Sequence, residues 1–231
     1  MIDDSYTYED YLSDFELDYL GFNGIPKVMN EITVGSIIPF GRYLQSNGHF
    51  SAPTPINWII LETDGQTATL ISEYALEVMP YNDIRKNIAW DKCTLRTWLN
   101  STFLNSAFTA EEQAQLQTVT VTVPVDPDFG IEHSEVTLDK VFLLSVDEAE
   151  QFFISDDDRK CLPTEHALSY NTWFWNQVDG RSNECHWWLR SSGDSPDCAA
   201  AIIDNGDILY EGWHVDSENV AVRPVIVLRL N

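Results

Sequence analysis

The most regular pattern along the chain is a pair of apolar runs, at residues 56–62 and 67–72, that flank Asp64 and Gly65. Both runs are rich in β-branched and aromatic residues, and Asp-Gly is typical of tight hairpin turns. This part of the chain is therefore predicted to form a β-hairpin. A short strand and turn are predicted before it, at residues 35–43.

Helical patterns follow the hairpin. From Cys93 to Phe103, apolar side chains recur at the spacing of one helix face. Residues 109–112 and 145–148 each place a hydroxyl three positions before a glutamate, which is the capping box that opens helices. The first box predicts a helix toward Leu116 and the second a helix to Phe153. Alternating valines at 119, 121 and 123 indicate a half-exposed strand, and residues 141–144 indicate a buried one.

The C-terminal part is predicted to be mostly β-structure. Strands are expected at residues 187–191, 198–203, 207–210 and 220–230, whereas residues 155–183 are expected to be irregular. Asn205-Gly206 predicts a type I′ hairpin turn. Two or three helices followed by a β-rich C-terminal half define an α+β fold class.

The first 30 residues differ from the rest, because acidic residues alternate there with Tyr, Phe and Leu. Gly21, Gly24 and Pro26 end this acidic-aromatic segment. Two interpretations stay open: a short helix packed on the domain, or a segment that docks on a partner. Residues 31–231 have the length of one domain.

The charge balance narrows the classes of partner. A net charge of −24 repels nucleic acid and anionic membranes. We find no apolar run of about twenty residues and no apolar leader after Met1, so neither membrane insertion nor a secretory signal is expected. The expected location is cytoplasmic or virion-associated. The oligomeric state stays open.

The reactive side chains do not form a familiar catalytic pattern. Cys93, Cys161, Cys185 and Cys198 lack C-x-x-C spacing, so free thiols are expected, with a Cys185–Cys198 disulfide as the alternative. The five histidines include no i, i+4 pair, although ligands on loops could still converge. The acidic run 156–158 is expected to be a solvated loop rather than a calcium site. These patterns predict no catalytic residue, no metal and no cofactor.

Two groups of residues carry the structural and functional hypotheses. Arg190 and Arg223 lie in apolar strands, where a guanidinium needs a partner, so they are predicted to anchor the C-terminal sheet together with Trp187 and Trp188. Residues 192–219 instead mix short strands with polar and aromatic side chains, as a ligand-binding face does. Nine candidate ligand-binding residues lie there: Asp194, Ser195, Asp197, Asp204, Tyr210, Trp213, His214, Asp216 and Ser217.

Six motifs occur in an order found in a known family. They are Pro55-Ile56-Asn57-Trp58, Thr94-Leu95-Arg96-Thr97-Trp98-Leu99-Asn100, Asp139-Lys140-Val141-Phe142-Leu143-Leu144-Ser145, Arg159-Lys160-Cys161-Leu162-Pro163-Thr164, Trp187-Trp188-Leu189-Arg190-Ser191 and Val222-Arg223-Pro224. Together, over about residues 33–230, they resemble a domain family of gut-type bacteria and their phages.

The resemblance implies a C-type-lectin-like fold, allied to the formylglycine-generating enzymes. Some relatives are variable proteins of diversity-generating retroelements, in which a reverse transcriptase randomises the last segment of the gene. The window from Trp187 to Pro224 corresponds to that segment. The expected function is a non-enzymatic module that binds a protein or cell-surface ligand. The alternative is a formylglycine-generating-like oxidase, or another thiol or metal enzyme. That oxidase needs a copper-binding cysteine pair, for which Cys185 and Cys198 are the candidates.

Overall fold

A computed structural model describes residues 32–48, 51–122, 135–169 and 184–230. The strands are β1 (Ile37–Tyr43), β2 (Thr54–Thr63), β3 (Thr67–Ser72), β4 (Glu77–Val78), β5 (Val119–Val121), β6 (Thr137–Asp139), β7 (Val141–Phe142), β8 (Trp187–Ser192), β9 (Cys198–Ile202), β10 (Ile208–His214), β11 (Ala221–Val222) and β12 (Val225–Arg229). The acidic-aromatic segment, Val123 and residues 170–183 lie outside the described residues. The predicted α+β class is confirmed.

The helices begin near the predicted starts, and the structure adds two short α-helices and a 3₁₀ turn at Trp90–Lys92. The first, α1, joins α-helical Thr94–Trp98, a π-helical turn at Leu99–Phe103 and α-helical Leu104–Ala107. The others are α2 (Ala110–Gln115), α3 (Val146–Phe152), α4 (Asp156–Arg159) and α5 (Glu165–Ser169). Both predicted capping boxes are present, at the starts of α2 and α3.

The region predicted to be irregular contains α4 and α5. The acidic run 156–158 is therefore helical, and the prediction of a loop is wrong. Ser155 caps α4 in a capping box with Asp158. Asp156 pairs with Arg159 and Asp157 with Lys160, one helical turn away. These local contacts explain why a polar run forms a helix.

Two five-stranded sheets position the candidate site. The first has the order β1-β2-β3-β12-β7, and the predicted hairpin forms its β2–β3 pair. The second has the order β10-β9-β8-β11-β4, in which β8 and β11 are parallel. Trp58, Trp90, Trp187 and Trp188 are fully buried in the core between these elements.

The predicted single strand at residues 220–230 is wrong, because Arg223 and Pro224 divide it. β11 before them belongs to the second sheet and β12 after them to the first. Pro224 has no N–H for a ladder, whereas its carbonyl accepts from Ser72 N at 3.0 Å. The chain therefore passes from one sheet to the other at the proline.

The predicted hairpin at Asn205-Gly206 forms, but its turn is not type I′. That turn needs a positive φ at both central residues, and only Gly206 has one, at 92°. Gly206 N donates to Ile203 O at 2.9 Å, and Ile203 N donates to Asp207 O at 3.0 Å. The loop is the three-residue kind, in which a turn is followed by a left-handed glycine.

Candidate functional site

The side chain of Arg190 is enclosed at the base of the second sheet. It is 5 % exposed, and its guanidinium contacts both carboxylate oxygens of Glu148, one at 2.7 Å. It also donates to Leu143 O at 2.7 Å and to Thr122 O at 3.2 Å. The charge is therefore neutralised inside the protein, by a carboxylate at the start of α3.

The other three predicted anchors of the sheet are Arg223, Trp187 and Trp188. The Arg223 guanidinium donates to Ser72 O at 3.0 Å and lies 5.1 Å from the Trp187 ring centre. Trp187 donates its indole N–H to Arg159 O at 3.0 Å, and Trp188 donates to Met79 O at 3.0 Å. Both indoles thus satisfy their polar atom while the rings fill the core.

The segment 192–219 begins and ends on neighbouring strands. Trp187 of β8 is the register partner of Ala221 of β11, whose N–H donates to His186 O at 2.8 Å. Between these strands the chain forms the β9–β10 hairpin. β10 is the edge of the sheet, and its Tyr210 and Trp213 side chains are 54 % and 38 % exposed. The β9–β10 hairpin is therefore exposed along its edge, while both ends of the segment are held on adjacent, paired strands; we call this arrangement a closed base.

Both neighbours of β9 carry a two-residue bulge at the same place. Ala201 of β9 pairs with Trp188 and Leu209, and Ala199 pairs with Ser192 and Trp213. The two neighbouring strands therefore each use four residues where β9 uses two. Gly212 takes a φ of 76° within the β10 bulge. A bulge re-aims the side chains that follow it, and here those are Trp213 and His214.

After the β10 bulge, His214 pairs with Cys198 across the strands. The imidazole Nδ1 lies 3.3 Å from Cys198 Sγ and 3.8 Å from Asp197 Oδ2. Cys198 Sγ lies 3.9 Å from Asp197 Oδ1. A thiol, an imidazole and a carboxylate therefore meet at the start of β9. Two of the three, Asp197 and His214, are among the nine predicted ligand-binding residues.

Two further side chains hold the Asp197 carboxylate. Ser195 Oγ donates to its Oδ1 at 2.6 Å, and Arg85 Nε donates to its Oδ2 at 2.7 Å. These two bonds lower the pKa of Asp197 to about 2. Burial, followed by the charges of Asp197 and Asp194, raises the pKa of the Cys198 thiol. Asp197 is therefore anionic at neutral pH, and Cys198 is a neutral thiol.

Three other candidates, Trp213, Asp204 and Tyr210, contact side chains outside this cluster. The Trp213 ring lies 5.8 Å from the His186 ring, and His186 lies 3.9 Å from Asp204. Tyr210 donates to Glu150 of α3 at 2.6 Å. Because adjacent strand residues point to opposite faces, Trp213 and His214 project to opposite sides of the sheet edge. This edge therefore presents two sets of side chains.

Two of the last three candidates make backbone hydrogen bonds to β10, and the third acts through its charge. Asp194 N donates to Glu211 O at 3.1 Å, and Ser217 N donates to His214 O at 2.9 Å. Asp197, followed by the charge of Asp216, raises the pKa of Arg85. The sequence prediction did not include Arg85, His186 or Cys198 among the ligand-binding residues, although they contact its members.

All four cysteines are free thiols, as predicted, and the alternative Cys185–Cys198 disulfide does not form. Cys185 lies beside Cys161, whose carbonyl accepts from Cys185 N at 2.8 Å. Cys185 precedes β8 whereas Cys198 begins β9, at the other end of the antiparallel pair. At about 3.3 Å per residue, they are separated by on the order of 15 Å. A disulfide needs Cα atoms within about 7 Å, so the Cys185–Cys198 bridge is wrong. The same separation is too large for the two thiols to bind one copper ion, so the copper pair is wrong too.

Gly212 allows a direct test of the bulge. We expect Gly212→Ala to lower the free energy of unfolding by about 1–3 kcal/mol. Its φ of 76° is strained for alanine, and a new Cβ would overlap Ala199 O. Gly65→Ala is the matched control, because Gly65 has a φ of 83° but open space around its Cβ. Urea unfolding of both variants should show the larger loss at Gly212; equal losses would contradict the steric part.

The fold and site define a mixed α+β module with a displayed hairpin and a cysteine–histidine–carboxylate cluster. Residues 65–230 match the profile of a family described as Domain of unknown function (DUF6273). The match covers more than half of the chain, which therefore belongs to this family. The searches of curated proteins and of solved structures gave no match. Within the described residues, no helix is both long and apolar enough to cross a membrane.

Proposed function

We propose that this protein is a non-enzymatic binding module of C-type-lectin-like fold, whose ligand face is formed by residues 192–219. The observation that carries the proposal is the exposure of Tyr210 and Trp213 on the edge strand β10. The neighbouring β9 is buried along its whole length, so the two aromatics stand on a rigid support. Aromatic side chains exposed on a rigid scaffold are common anchors for ligands.

The closed base of the hairpin supports the same proposal. Because β8 and β11 are adjacent, exposed side chains between residues 193 and 220 can change without moving the ends of the segment. We further propose that this segment is the diversified part of a retroelement variable protein. A reverse-transcriptase gene near this gene, with a near-copy of its 3′ end, is the expected finding. Neighbouring DNA without both would contradict the diversification but not the binding face.

The partner is proposed to be a protein or cell-surface ligand. The protein carries a net charge of −24, so a neutral or basic ligand surface is favoured over an anionic one. Nucleic acid is a poor fit for the same reason.

The binding face can be tested with Tyr210→Ala/Trp213→Ala. Each lost aromatic anchor typically costs about 2 kcal/mol or more, or about a 30-fold loss of affinity. We expect glycans or surface proteins that bind the wild type on a printed array to lose most of their signal with this variant. The melting temperature should stay within a few degrees, since both side chains lie at the surface and neither belongs to the buried core.

Leu138→Ala is the matched control for the array. Leu138 is 68 % exposed on β6, which belongs to a different sheet, so its removal tests general loss of surface apolarity. Ligands that bind the aromatic variant as well as the wild type would overturn the proposal. Equal losses with Leu138→Ala would also place the face elsewhere.

A thiol enzyme is the second candidate, favoured by one observation, the 3.3 Å contact between Cys198 and His214. A nucleophilic cysteine needs thiolate character, which a neighbouring positive charge promotes. Here burial and two carboxylates raise the pKa of the thiol instead. The contact distance favours a thiol–imidazole pair, whereas the raised pKa of the thiol argues against a thiolate nucleophile.

A further inference from the structure

Asp197, Cys198 and His214 bring together three different ligand types for transition metals. One oxygen, the sulfur and the imidazole Nδ1 all lie within 4.8 Å of one another. This mixed donor set is unsuited to Mg²⁺ or Ca²⁺, which prefer oxygen ligands only. Thiolate and imidazole donors instead suit zinc and its neighbours in the periodic table.

The distances between the donors agree with a tetrahedral ion. Zinc bonds of about 2.3 Å to sulfur and 2.0–2.2 Å to nitrogen or oxygen would place tetrahedral donors about 3.4–3.6 Å apart. Cys198 Sγ lies 3.3 Å from His214 Nδ1 and 3.9 Å from Asp197 Oδ1, and His214 Nδ1 lies 3.8 Å from Asp197 Oδ2. Because one carboxylate oxygen lies within 4.8 Å of both other donors, side-chain shifts of up to about an ångström would bring the three donors to coordination distances.

Backbone contacts fix the segment that carries two of these ligands. Asp197 O accepts from Val215 N at 2.9 Å, and Cys198 N donates to Ser195 O at 2.9 Å. Pro196 O accepts from Ile88 N at 3.0 Å. Ser195 also orients the Asp197 carboxylate through its hydroxyl. Such outer contacts are what keeps metal ligands in position.

We propose that Asp197, Cys198 and His214 bind one zinc-class metal ion and leave its fourth position toward solvent. The His214 side chain is 49 % exposed and the Asp197 side chain 21 %, so an ion can reach the cluster from outside. Arg85 now holds one carboxylate oxygen, but its side chain is 50 % exposed and can turn away. Three protein ligands and an open position are the arrangement of zinc sites that bind a further ligand.

The metal ligands lie in the same segment as the proposed binding face, but the site does not depend on the aromatic anchors of that face. Trp213 projects to the opposite side of the sheet edge from His214, and neither aromatic anchor contributes a metal ligand. The two proposals can therefore fail separately: metal binding is measured without any glycan or protein ligand, and the array does not vary the metal ligands.

The test titrates zinc alone into chelator-treated full-length protein by calorimetry. We expect the wild type to bind one ion, and His214→Gln to lose affinity by more than the 10–100-fold typical of an outer-shell change. Because the His214 side chain is half exposed, this variant should fold normally. Cys198→Ser should behave alike, and cobalt bound to the wild type should show a thiolate charge-transfer band that Cys198→Ser lacks.

Cys161→Ser and His186→Gln are the matched controls. Cys161 is another buried thiol, and His186 is a largely buried imidazole on the other side of the same sheet edge. Both should bind zinc as the wild type does. Equal zinc affinity in the wild type and His214→Gln would overturn the site, as would a cobalt–thiolate band that persists in Cys198→Ser. A wild type that binds no zinc would mean that the 3.3 Å contact is only a thiol–imidazole hydrogen bond.

Discussion

Replacement of Arg190 by alanine is expected to lower the free energy of unfolding by about 3–5 kcal/mol. The guanidinium is 5 % exposed and contacts the Glu148 carboxylate together with two backbone carbonyls, those of Leu143 and Thr122. Its removal leaves these oxygens without their donor and opens a void beside Phe142, over whose ring the guanidinium lies. At about 2–4 °C per kcal/mol, the melting temperature should fall by roughly 6–20 °C.

A double variant separates the charge from the packing. Arg190→Met/Glu148→Gln removes both charges, keeps most of the volume and leaves an amide oxygen for the capping box with Ser145, so it should recover part of the stability lost in Arg190→Ala. Urea unfolding followed by tryptophan fluorescence measures all three proteins. A loss under about 1 kcal/mol in Arg190→Ala would show that the pair behaves as a surface ion pair, contrary to the buried contacts.

Asp139→Ala is expected to lower the free energy of unfolding by about as much as Arg190→Ala does. Asp139 is fully buried and accepts from Trp90 Nε1 at 3.0 Å, from Thr137 Oγ1 at 2.6 Å and from Arg96 Nε at 2.8 Å. Its removal leaves a buried indole N–H and a largely enclosed guanidinium without their acceptor. The cost of breaking such a pair is about 3–5 kcal/mol in free energy of unfolding.

Two further variants test whether the loss of stability comes from the buried carboxylate of Asp139. Asp139→Asn keeps the shape but removes the charge, so its stability should lie between those of Asp139→Ala and the wild type. Asp147→Ala removes an exposed carboxylate from the first turn of α3 and should cost less than about 1 kcal/mol. Thermal unfolding by circular dichroism ranks the three, and equal stability of Asp139→Ala and Asp147→Ala would contradict the prediction.

Much of the fold could be predicted because it depends on local chemistry. The hairpin around Gly65 and the capping boxes at Thr109 and Ser145 are set by residues within a few positions of each other. The prediction of one continuous strand from 220 to 230 was wrong for a non-local reason. Its apolar pattern continues through Pro224, and only the arrangement of two sheets decides where the chain changes partner.

The candidate site could be predicted in part. The two-residue turn predicted at Asn205-Gly206 would pair Cys198 with Trp213, on the opposite face from His214. The observed three-residue loop and the two-residue bulge of β10 bring His214 opposite Cys198 instead, so the contact between thiol and imidazole could not be counted from the sequence. Arg85 could not have been found by counting either, since it reaches Asp197 across 112 positions of sequence.

The bulged edge strand has a consequence for the behaviour of the protein in concentrated solution. Exposed aromatics on the edge of a sheet ordinarily invite a second chain to add a strand, which begins aggregation. Two extra residues and the left-handed Gly212 interrupt β10, and the charged Glu211 lies within the interruption. An incoming strand therefore meets no regular ladder there, so Tyr210 and Trp213 can stay exposed without serving as a template for self-association.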